Sequence, residues 1–81
     1  MTRDALNRMQ RIDYLIRIKG TGTPTQLADR LGLSKRSVFD YLNLMKEFGA
    51  PIKFCPARKS YYYDEDGVFS ITFSFKKMSQ I

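Results

Sequence analysis

The chain has 81 residues, with 14 lysines and arginines against 8 acids and a formal charge of +6; this is room for one domain, 1–81, and a charge that favours a polyanionic partner. Hydrophobic residues make up 43%, enough to bury a modest core, yet no apolar run approaches the ~18 residues of a membrane span and no signal-peptide core follows the start, so a cytoplasmic protein is expected. Histidine is absent and Cys55 is the one cysteine, which excludes a histidine-based zinc site or general base and any intrachain disulfide.

The first expected element is a helix over 4–19, free of proline and glycine until Gly20. Leu6, Met9, Ile12, Leu15, Ile16 and Lys19 follow three-and-four spacing and form one inward stripe. Tyr14 and Ile18 lie off that stripe, as a widening of the apolar face or as a contact surface for a second copy. Arg3, Arg8, Arg11 and Arg17 occupy the remaining surface. Gly20-Thr21-Gly22 reads as a flexible turn.

A second helix is expected over 24–31. Thr23 and Gln26 have capping-box spacing, and Pro24 falls at the first helical position, where its missing amide costs nothing. Leu27, Ala28 and Leu31 form its inner face, and Gly32 ends it.

The third helix, 35–48, organises the rest. Ser34 is its N-cap, Leu33 its hydrophobic staple, Gly49 its left-handed terminator, and Pro51 prevents continuation. Val38, Leu42 and Met45 make the buried stripe. The other side starts with Lys35, Arg36 and Ser37 and goes on through Phe39, Asp40 and Asn43. A short helix with a cationic, hydrogen-bonding first turn suits a major groove. Two helices meeting across Gly32-Leu33-Ser34 form the helix-turn-helix pattern, with 35–48 as recognition helix.

Beyond Gly49 the pattern alternates. Residues 51–63 read as a hairpin, with Pro56-Ala57-Arg58-Lys59 as its turn and Cys55 as a small apolar strand residue. A hairpin behind a recognition helix is a wing, and Arg58 and Lys59 at its tip suit phosphates or a minor groove. Asp64-Glu65-Asp66-Gly67 is an acidic turn expected to face away from DNA. A further strand is expected over 68–75, with Phe69, Ile71, Phe73 and Phe75 on one side. That row either completes the core or forms the interface of a homodimer.

The run Arg11-Ile12-Asp13-Tyr14-Leu15-Ile16, the stretch from Gln26-Leu27-Ala28 through Leu31-Gly32-Leu33-Ser34-Lys35-Arg36-Ser37-Val38, then Leu42, Met45, Gly49-Ala50-Pro51-Ile52 and Tyr61-Tyr62-Tyr63 together carry a likeness. Over residues 8–66 the chain resembles the amino-terminal winged helix-turn-helix of bacterial DeoR-like and WYL-associated transcription regulators. The resemblance implies sequence-specific DNA binding, with Lys35, Arg36 and Ser37 on the DNA-contacting first turn. Those regulators typically carry an Arg-Asp pair in the middle of the recognition helix, where this chain has Asp40-Tyr41; where their large effector domain would follow, a Phe-rich strand is expected instead.

The expected fold is therefore α+β, a small winged helix-turn-helix of three helices followed by a two- or three-stranded antiparallel sheet. The expected function is double-stranded DNA binding as a small transcription regulator. Ser34, Lys35, Arg36, Ser37, Phe39, Asp40 and Asn43 would lie in the major groove and Arg58 and Lys59 on the backbone. The alternative is a winged-helix protein-interaction module, favoured by Asp40 and by Phe39, Tyr41 and Leu44 as exposed apolar candidates. No nucleophile motif, phosphate-cradling loop, metal cluster or cofactor motif is present, so neither an enzyme nor a small-molecule ligand is indicated.

Overall fold

The computed structural model describes residues 3–69. Three helices, α1 (Arg3–Arg17), α2 (Pro24–Leu31) and α3 (Lys35–Glu47), precede an antiparallel hairpin of β1 (Ile52–Cys55) and β2 (Ser60–Tyr63). The molecule is thus a small α+β unit. No helix among the described residues is long and apolar enough to cross a membrane.

α2 and α3 each start where a side chain satisfies backbone groups that a helix start leaves over. At the start of α2, the Thr23 hydroxyl accepts from the Gln26 amide at 3.3 Å, and the Gln26 side chain accepts from the Thr23 amide at 2.9 Å. This is the expected capping box, with Pro24 in the first turn. Gly32 takes the left-handed conformation (φ 67°), which lets Leu33 donate back to the Ala28 carbonyl at 2.9 Å and aims the chain into α3. Gly22 is held more tightly: its φ is 73°, and a Cβ there would come within 2.5 Å of the Gln26 side-chain oxygen that closes the box.

Met9, Ile12 and Ile16 from α1, Leu27 and Ala28 from α2, Val38, Leu42 and Met45 from α3, and Ala50, Ile52 and Tyr61 around the hairpin form one core. Burying each of the larger side chains contributes about 1.5–3 kcal/mol. α2 packs on α3, and α1 packs along β2. The hairpin is therefore held by the first helix, and the third helix by the second.

Two expectations change, and a third falls within the described residues only at its start. α1 ends at Arg17, and Lys19 leaves the helix in a left-handed conformation (φ 55°), so it is an exposed turn residue and not the end of the buried stripe. The turn 20–22 is anchored. Thr21 and Ser60 are both buried; the Thr21 amide donates to Ser60 Oγ at 3.3 Å, and Thr21 Oγ1 accepts from the Tyr61 amide at 2.8 Å. The two hydroxyls lie 3.0 Å apart, within hydrogen-bond distance of each other. Side chains here do the work of a ladder along the strand edge. Among the described residues the sheet has two strands, paired Ile52↔Tyr63 through Cys55↔Ser60. Val68 and Phe69, where an added strand was expected to begin, carry no strand pairing; the remainder of the expected 68–75 strand lies outside the described residues.

Candidate nucleic-acid interface

The first turn of α3 is preorganised by its cap. Ser34 Oγ accepts from the Ser37 amide at 3.1 Å and donates to Ser37 Oγ at 3.1 Å. Ser34 is exposed and Ser37 half-buried, so both belong to the helix start as much as to its surface. Val38, Leu42 and Met45 are buried and fix the rotation of the helix about its axis. The opposite side then has no choice but to face outward. Lys35, Arg36, Phe39, Asp40 and Asn43 are all exposed, Phe39 at 40%. Arg36, Asp40 and Asn43 follow one another at intervals of four and three, as neighbours on a helix surface do. Lys35 and Phe39 form the adjoining row.

Among the described residues the ion pairs join Arg17 to Asp13 and Lys53 to Asp64. Lys35 and Arg36 therefore present uncompensated charge, at the end of the helix where the backbone dipole is also positive. That combination attracts anions.

The cations of α1 divide. Arg8 donates to the Tyr41 hydroxyl at 3.1 Å and ties α1 to α3. Arg17 donates to Asp13 at 3.0 Å and lies over the Tyr14 ring, 5.8 Å from its centre. Arg11 is exposed beside Asn7, Arg8 and Leu31. Tyr41 and Leu44, expected to be exposed, are half-buried and pack against the core. Arg58 and Lys59 are exposed at the hairpin tip, with Lys59 in the left-handed region (φ 51°). They belong to a separate element from α3.

Phe69, expected either to complete the core or to line a dimer face, packs on the core. It is half-buried against the core, its ring meets Phe48 edge-on at 6.3 Å, and its amide donates to Asp13 at 2.8 Å. Ile71, Phe73 and Phe75 lie outside the described residues. Phe48, Pro51, Tyr63, Val68 and Phe69 line an open cleft of about 220 Å³, with Glu65 and Asp66 beside them. It adjoins the C-terminal end of α3, the far end from Lys35 and Arg36. Asp64, Glu65 and Asp66 follow β2 directly, at the base of the hairpin and away from its tip.

Sequence reasoning missed Asp13 as a structural centre. It is 3% exposed, and it accepts from Arg17, from the Tyr63 hydroxyl at 2.6 Å and from the Phe69 amide. The signal was present: an acid between Met9, Ile12 and Ile16, four residues before an arginine. Comparison of the chain with protein-family models, curated proteins and solved structures gives no match.

Proposed function

We infer that this chain is a winged helix-turn-helix domain that binds double-stranded DNA without catalysing a reaction, as a small transcription regulator of the kind its sequence resembles. In this reading α3 enters the major groove, and the β1–β2 hairpin is the wing. The observation that carries it is the exposed first turn of α3: two cations with no ion-pair partner among the described residues, on a capped helix whose other face is locked in the core. Lys35 and Arg36 fix the helix on the backbone and reach base edges, Ser34 and Ser37 offer hydroxyls to phosphate, and Phe39, Asp40 and Asn43 lie along the groove. Arg58 and Lys59 clamp from the wing. Two copies bound together would read half-sites about 34–36 Å apart.

A second reading, a protein-interaction module, draws on exposed Phe39 and the acid beside it. It loses weight because Tyr41 and Leu44 are half-buried. A fluorescent mixed-sequence duplex titrated at two salt concentrations separates the two. The DNA reading expects affinity to fall steeply with salt, and Lys35→Ala/Arg36→Ala to weaken binding and flatten the log–log slope by roughly 2. Failure to bind at low salt would sink it.

A further inference from the structure

Asp40 sits in the middle of the exposed face that carries Lys35, Arg36, Phe39 and Asn43. Its carboxylate makes no ion pair or hydrogen bond among the described residues. That is notable because Arg36 stands one turn before it, at the spacing where opposite charges on a helix usually meet. Both groups are thus left free to act on something else. Toward a polyanion a free carboxylate is a penalty, and it lowers affinity unless a base edge supplies a donor.

Resting on the DNA-binding reading above, we propose that Asp40 is a specificity residue that selects a cytosine in the major groove, within about two base pairs of a guanine taken by Arg36. A carboxylate only accepts hydrogen bonds. In the major groove guanine presents two acceptors and thymine an acceptor and a methyl group, so both repel it. Adenine offers one amino donor next to an acceptor, whereas cytosine offers its amino group alone. Cytosine is the best match, adenine the second. Arg36 has the complementary preference, because its fork of donors fits the two acceptors of guanine. Four helical residues rise about 6 Å, against about 3.4 Å per base step, which sets the separation of the two bases. Electrostatics and specificity then pull in opposite directions at this one side chain: Asp40 weakens binding to all DNA and weakens it least where a cytosine stands opposite.

The test is selection of bound duplexes from a random pool with wild type, Asp40→Asn and Asp40→Ala. The selected duplex is then titrated, at two salt concentrations, beside a copy in which the cytosine·guanine pair is replaced by thymine·adenine. Wild type is expected to enrich a cytosine within two base pairs of a guanine and to lose about 5- to 100-fold in affinity on the replacement. Asp40→Ala is expected to lose that preference to within about twofold and to bind unselected duplex more tightly than wild type. Asp40→Asn is expected to move the preference to adenine, whose edge an amide fits. Because Asp40 is exposed, all three proteins should share one helical circular-dichroism spectrum. The same motif from wild type and Asp40→Ala, with equal loss on replacing the pair, would overturn the assignment. Salt-dependent binding without enrichment of a cytosine overturns it too, yet leaves the DNA reading standing; absence of salt-dependent binding removes both.

Discussion

Asp13 is the side chain on which the chain's distant parts converge. Three donors reach a carboxylate whose side chain is 4% exposed: the Arg17 guanidinium, the Tyr63 hydroxyl and the Phe69 amide. A charge so far from water is tolerable only because its acceptor sites are filled. Asp13→Ala removes the acceptor and strands the Tyr63 hydroxyl and the Phe69 amide; a loss of about 2–4 kcal/mol in urea denaturation is expected, and less than about 1 kcal/mol would show the bonds to be incidental. Burial, with the adjoining Asp13 carboxylate adding to it, pushes the Tyr63 hydroxyl well above the usual tyrosine range. Burial alone raises Tyr61 as well. The sign follows from proton counting: above about pH 10 the unfolded chain releases tyrosine protons that the folded chain keeps, so stability is intact below that pH and falls above it. Tyr63→Phe should make the decline between pH 10 and 11.5 shallower while Tyr61 retains its share. An unchanged alkaline limb would contradict the assignment.

At the scale of elements, the contrast between what the sequence disclosed and what it hid is one of range. The caps of α2 and α3 were legible because a cap is a bond across three residues: Thr23 with Gln26, Ser34 with Ser37. The buried stripe of α3 was legible for the same reason, its period being a property of the helix itself. The exposed face of the candidate site followed from that stripe by elimination. Thr21 was read as part of a loose turn because its partners lie 39 and 40 residues away in Ser60 and Tyr61. Nothing local distinguishes a threonine that staples a strand from one that merely sits between glycines. The reading of α1 failed in the same manner at Arg8, whose partner Tyr41 lies 33 residues away; Arg17 is the exception, because its partner Asp13 stands only four residues before it on the same helix. Thr21→Val keeps the shape and removes the acceptor for the buried Tyr61 amide; it should cost about 1–3 kcal/mol, while Thr21→Ser should recover most of that. Ser34→Ala tests the local device instead and should cost about 1 kcal/mol. Equal stability of Thr21→Val and wild type would mean that the turn is loose after all.

Over the whole molecule, charge is sorted along the chain more sharply than its sum of +6 suggests. Lys35 and Arg36 begin α3, Arg58 and Lys59 tip the hairpin, and Asp64, Glu65 and Asp66 stand at the hairpin base, four strand residues from the tip. Four residues of strand span about 13 Å, somewhat more than the screening length at physiological salt, so the acids cancel little of the field at the tip. If a duplex meets both cation groups, each neutralises its own phosphates and their effects on the salt dependence should add, since the two groups share no partner among the described residues. Arg58→Ala/Lys59→Ala is therefore expected to flatten the log–log salt slope by up to about 2, and the fourfold variant with Lys35→Ala/Arg36→Ala by up to about 4. The hairpin pair should weaken all duplexes alike, whereas the helix pair should also blur sequence preference, because backbone contacts position and base contacts specify. A slope untouched by the hairpin substitutions would leave α3 as the sole contact and reduce the tip to a solvated turn. A slope that fell by the same amount for either pair and no further for both would instead place one group of phosphates between them, and with it the separation of helix and hairpin in the bound state.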